Sequence, residues 1–147
     1  RQSASEPVNR GLRFDGLLAL VAEDNQINLK IVRTILEQWG FKIEAAENGT
    51  IALQKFKDSP EGGFHIIYMD IQMPVMNGYE CARAIRACNR TDAATIPIVA
   101  MTANAFSEDV ERARASGMNA HTAKPINPDE VYRITAELLG GKGAHHE

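Results

Sequence analysis

The chain has 147 residues, 44% of them apolar and 24% charged, and a net charge of −3. That is enough for one domain with a real core. The acidic balance argues against a surface that grips nucleic acid by itself, and no apolar run approaches the roughly 18–20 residues of a membrane-spanning helix. Arg1 to Pro7 is polar and carries no secretory leader pattern. With no initiator Met, the segment is expected to be a cytoplasmic domain cut from a longer protein, and a membrane anchor elsewhere in the parent is compatible with this. The two cysteines, Cys81 and Cys88, lie seven apart in a predicted helix. At roughly 1.5 Å per residue they are about 10 Å apart, too far to bridge, and a reduced setting follows.

Residues 1–16 are rich in Ser, Pro, Asn and Gly and read as linker. Leu17 to Ala22 is a continuous apolar run, a strand covered on both faces. Ile27, Ile31, Ile35 and Trp39 follow at four-residue steps as one stripe of a helix that Gly40 stops. Phe41 to Ala46 predicts a second strand, and Asn48 caps a helix bearing Ala52, Leu53 and Phe56. Phe64 to Met69 is the third strand. A helix over Gly78–Asn89 carries Cys81, Ile85 and Cys88 on one side. Ile96 to Met101 is the fourth strand, with its Pro at the strand start. Phe106, Val110, Ala113 and Gly117 step along the next helix. Asn119 to Ala123 makes a weak fifth strand, and Val131, Ile134 and Leu138 mark a final amphipathic helix before the tail at 141–147.

Five repeats of strand then helix predict an α/β domain with a parallel sheet and helices on both faces. In such sheets ligands bind outside the carboxyl ends of the strands. Glu23 and Asp24 follow the first strand, Asp70 the third, Met101-Thr102-Ala103 end the fourth, and Lys124-Pro125 follow the fifth. An acidic pair can simply favour a helix N-terminus, and a Thr or Lys in a loop is ordinary. Their coincidence at one edge instead suggests a pocket for a divalent cation and a phosphoryl group.

The chain resembles the receiver domain of two-component signalling from about Leu17 to Leu139. The motifs are Glu-Asp-Asn-Gln-Ile-Asn after strand one, Asp-Ile-Gln-Met-Pro-Val-Met-Asn-Gly after strand three, Met-Thr-Ala-Asn-Ala after strand four, and Lys-Pro after strand five. The Asn25…Asn28 pattern and Thr-Ala-Asn-Ala-Phe are most similar to receivers of hybrid sensor histidine kinases. The resemblance implies a flavodoxin-like doubly wound (βα)5 fold with a five-stranded sheet in order 2-1-3-4-5, and a receiver spanning 17–140.

It also implies that Asp70 accepts a phosphoryl group from a phosphohistidine. Asp24, Asp70 and the backbone carbonyl of Gln72 would hold Mg²⁺, or Mn²⁺ in its place, with Glu23 helping through a coordinated water, an all-oxygen set suited to a hard cation. Thr102 would hydrogen-bond the phosphoryl group, Lys124 would offset its charge, and the Lys124–Pro125 bond would be cis. The implied partners are a histidine kinase or a histidine phosphotransfer domain, with a second copy of the chain as a further class and no nucleic acid or membrane contact by this domain. The domain itself would catalyse only its own phosphorylation and dephosphorylation.

Glu23 stands where Asp is frequent, and His121 where many receivers carry a switching Tyr or Phe. A stand-alone response regulator is the nearest alternative. An aspartyl-phosphate phosphatase of haloacid-dehalogenase type would need an acid/base Asp where Gln72 stands. A pseudo-receiver would lack one of the acidic residues, Thr102 or Lys124, and a flavin-binding flavodoxin would need a Ser/Thr-rich phosphate loop after strand one.

Overall fold

The computed structural model describes residues 12–103, 107–140 and 145–146. The apolar runs form five parallel strands: β1 (Leu18–Ala22), β2 (Lys42–Ala46), β3 (Ile66–Asp70), β4 (Ile98–Thr102) and β5 (Ala120–Ala123), in order β2-β1-β3-β4-β5. Every residue of β3 and β4 is buried, as continuous apolar composition requires. The helices are α1 (Gln26–Gln38), α2 (Gly49–Asp58), α3 (Gly78–Arg86), the short α4 (Thr91–Thr95), α5 (Ser107–Ala115) and α6 (Pro128–Leu139). This is the flavodoxin-like architecture that the resemblance implies.

Strand side chains alternate between two cores. Leu20, Ile67, Met69, Ile98 and Ala100 face Phe56 of α2 and Ile85 of α3. Val21, Ile66, Tyr68, Val99 and Met101 face Leu36 of α1 and Val131 of α6. A buried hydrogen bond between the Tyr68 hydroxyl and Thr135 Oγ1 fastens α6 to the central strand.

Three details depart from the sequence reading. The face of α1 turned to the sheet is Leu29, Val32, Ile35 and Leu36, while Ile27 and Ile31 are 72% and 41% exposed. Four-residue steps advance 400° in a helix of 3.6 residues per turn, so from Ile27 to Trp39 the stripe drifts by about 120°. The third helix ends at Arg86 rather than Asn89, and α4 follows it. Arg90 breaks the run: its guanidinium donates to the carbonyls of Phe56, Ser59 and Pro60 and pairs with Asp92 at 2.7 Å. Finally, Phe14 and Gly16, part of the expected linker, hydrogen-bond to the chain at the end of α1, with Phe14 fully buried and Asp15 and Gly16 exposed. Leu12–Arg13 pair antiparallel with His145–His146 of the tail. Phe106, from the stripe expected on the fourth predicted helix (α5 here), lies outside the described residues.

Candidate functional site

The carboxyl edge of the sheet collects the candidate residues because adjacent strands end in register. Ala22 lies opposite Met69, Asp70 opposite Met101, and Thr102 opposite Ala123. Glu23, Asp70 and Lys124, from three strand ends, thereby converge. The Lys124 amide donates to Thr102 O (2.8 Å), fixing the lysine backbone to the end of β4. The Lys124–Pro125 bond is cis, as expected.

Lys124 Nζ lies 2.9 Å from Glu23 Oε1 and 3.1 Å from Asp70 Oδ1. Glu23 is fully buried and Asp70 is 3% exposed, whereas Asp24 faces solvent. One carboxylate oxygen from each of Glu23, Asp24 and Asp70 falls within 4.8 Å of the others, and no other such trio of ligand-type side chains occurs among the described residues. Glu23 Oε2 accepts from the Asn25 amide (3.1 Å), and Asn25 Oδ1 in turn caps α1 at Asn28 N. The Gln72 amide donates to Asp70 Oδ1 at 3.2 Å.

The loop after Asp70 is held as tightly as the strand. Asn77 and Glu80 form a reciprocal capping box at the start of α3. Gly78 sits against the phosphoacceptor candidate itself: a Cβ there would fall 2.4 Å from Asp70 O. Glycine is thus required by close approach, and α3 backs directly onto the end of β3.

Crowding three carboxylates here has an electrostatic cost. Burial, then the charge of Glu23, pushes the Asp70 carboxyl up from 3.8 to about 7, against the pull of Lys124. Burial alone would lower the Lys124 ammonium, but Glu23 and Asp70 outweigh it and hold it above its usual value. The edge carries more negative charge than one lysine offsets.

A cleft of about 480 Å³ opens beside these groups, lined among others by Asp24, Gln72, Thr102, Ala103, Tyr79 and Arg112. The Arg112 guanidinium stacks on the Tyr79 ring at 4.2 Å. The pair leaves no local pattern in the sequence, because the contact joins α3 to α5 across 33 positions. His121 is not brought into the acidic group. It is half-buried on β5, beside Val110, Ala113 and Met118 toward α5.

Residues 19–136 match the family model of the response regulator receiver domain. This chain belongs to that family. The receiver is 40% identical over 117 residues to Hybrid signal transduction histidine kinase I of Dictyostelium discoideum, covering 78% of this chain and 7% of that protein. The chain thus spans a small fraction of the length of this relative. Among solved structures, it resembles the receiver domain of the sensor histidine kinase PA1611 from Pseudomonas aeruginosa PAO1, which has a magnesium ion coordinated in its active site cleft. That likeness has 32% identity and a TM-score of 0.77, over 86% of this chain and 99% of that one. A chain from the Saccharomyces cerevisiae co-crystal of the histidine phosphotransfer signalling protein Ypd1 with the receiver domain of Ssk1 matches at 32% identity and a TM-score of 0.70, over 86% and 88% of the two chains. The receiver is therefore a two-component signalling module homologous to those of hybrid histidine kinases. Among the described residues no helix is long and apolar enough to cross a membrane.

The acidic edge fits a hard divalent cation. Its donors are all oxygens, one of the three carboxylates is open to solvent, and the buried Glu23 Oε1 has no hydrogen-bond partner beyond its ion-pair contact with Lys124.

Proposed function

We propose that this receiver takes a phosphoryl group from a phosphohistidine onto Asp70 and passes it along a phosphorelay. The observation that carries the reading is the convergence of Asp70, two further carboxylates and Lys124 at one strand edge, with Lys124 Nζ 3.1 Å from Asp70 Oδ1.

In this reading Glu23, Asp24, Asp70 and the Gln72 carbonyl would hold Mg²⁺, and the bound ion would neutralise charge on the transferring group. Asp70 supplies the nucleophilic oxygen; an O–P bond forms as the P–N bond to the donor imidazole breaks. Transfer of this kind proceeds through a loose transition state, so positioning and charge neutralisation dominate. The backbone of Asp70 is fixed by the β4 ladder and by Gly78, and its Oδ1 is held by Lys124 Nζ and the Gln72 amide. Lys124, already between Glu23 and Asp70, offsets the charge added by phosphorylation. Thr102, at the end of β4, donates its hydroxyl to a phosphoryl oxygen, and Ala103 leaves the approach unobstructed.

A histidine phosphotransfer protein or the kinase itself is the donor. Exposed Ile27 and Ile31 on α1 and Val75 after β3 supply apolar surface for that contact. The parent is a hybrid histidine kinase. The experiment is labelling by a small-molecule phosphodonor with Mg²⁺ present: the wild type takes up one phosphoryl group per chain and Asp70→Asn takes up none. Stoichiometric labelling of the variant would overturn the assignment. Beryllofluoride with Mg²⁺ distinguishes a switch, with NMR shifts extending from Ala103 to about Ala123, from a pure carrier, with shifts confined to the acidic edge.

A further inference from the structure

The chain that precedes β1 does not simply lead into the sheet. Helices leave their last carbonyls without intrahelical donors. At the end of α1 three carbonyls in succession are served from outside. Arg13 Nη1 donates to Gln38 O (3.0 Å), Phe14 N to Trp39 O (2.8 Å) and Gly16 N to Gly40 O (3.1 Å). Between these bonds the fully buried Phe14 ring stacks on Phe41 at 5.1 Å, meets Tyr132 edge-on at 6.2 Å and lies tilted to Trp39 at 6.5 Å. Gly40 has φ +100°, and a Cβ there would fall 2.8 Å from Asp15 Cα, so only glycine lets the two segments lie this close.

We propose that Arg13–Gly16 is a docking strap, and that Trp39, Phe41 and Tyr132 form its socket. The chain entering the domain is thereby fastened to the C-terminal end of α1 instead of hanging as a flexible tether. The acidic edge lies at the other end of that helix, since Asp24 directly precedes its Asn25 cap. A domain held by this strap is gripped at the rear and keeps its reactive edge free for a partner. The inference rests on these hydrogen bonds and aromatic contacts and is independent of phosphoryl transfer.

Amide hydrogen exchange on the intact chain tests it. The Phe14 and Gly16 amides should exchange more than about tenfold more slowly than in an unstructured peptide, because their opening requires the strap to leave the socket. Slower exchange than that supports the strap, and exchange within tenfold of the peptide overturns it. Trypsin provides a second readout at the Arg13–Phe14 bond, since cleavage tracks the population of the open form. Cleavage there should rise at least about tenfold in Phe14→Ala and fall back in Phe14→Leu, which refills the socket. Equal cleavage of wild type and Phe14→Ala would overturn the proposal. Should Phe14→Ala fail to fold, the wild-type exchange decides.

Discussion

Asp70→Asn should make the metal-free protein more stable at pH 8. The substitution keeps the shape of the side chain and removes its charge from a crowded edge. The rise of the Asp70 carboxyl from 3.8 to about 7 corresponds to about 4 kcal/mol against the ionised form once the pH is well above 7. The attraction of Lys124 is already counted in that net rise. Asparagine must itself be desolvated and the unfolded chain retains some structure, so about half, ~2 kcal/mol, is the expected gain.

The sign with pH follows from proton binding. Folded Asp70 binds its proton more tightly than unfolded Asp70, so its contribution to stability is fully present below pH 3.8. It declines as the pH rises and is lost above about 7. Asparagine has no such titration, so the advantage of the variant is largest near pH 8 and shrinks toward pH 4. Urea unfolding with a chelator present, followed by the fluorescence of Trp39, measures it; this sole tryptophan is 5% exposed. Saturating Mg²⁺ should narrow the gap by stabilising the wild type. A variant no more stable than wild type at pH 8, or a gap as large at pH 5 as at pH 8, would rule out the buried charge of Asp70 as a destabilising element.

Lys124→Met strips the cation from two buried carboxylates and should destabilise the metal-free protein by about 3 kcal/mol in the same assay, with Mg²⁺ recovering part of the loss. Gly78→Ala drives a methyl group against Asp70 O and should cost about 2 kcal/mol in urea unfolding and slow phosphodonor labelling. Tyr68→Phe should cost about 1–2 kcal/mol by leaving Thr135 without its partner. Adding Thr135→Val should then recover stability, and a double variant merely as bad as the sum of the singles would show that the two side chains are not coupled.

What was legible in the sequence was what repeats or runs. The strands announced themselves as apolar stretches, and their alternation with helices implied the parallel sheet. That architecture is what brought Glu23, Asp24, Asp70 and Lys124 to one edge. Features set by a single long-range contact were not legible. The helix at Thr91–Thr95 depends on Arg90 reaching the carbonyls at the end of α2, 30 or more residues away. Phe14 reads as an isolated aromatic in a polar stretch until Phe41 and Tyr132 are seen around it. The stripe on α1 misled because isoleucines at four-residue spacing look continuous on paper while rotating out of the core. Ile27 and Ile31 are exposed near the acidic edge for that geometric reason.

The sheet divides the apolar interior into two compartments that share no side chain among the described residues. Volume lost at Phe56 can be refilled only from its own compartment, which holds Leu20, Ile67 and Ile85, and volume lost at Leu36 only from the opposite face. Compensating substitutions should therefore pair within a compartment, and changes on opposite faces should combine additively. Each compartment is free to drift through its own sequence history while the strand ends keep their register. Diverging lineages can replace one filling without renegotiating the other, and the acidic edge, resting on the backbone between them, inherits neither history.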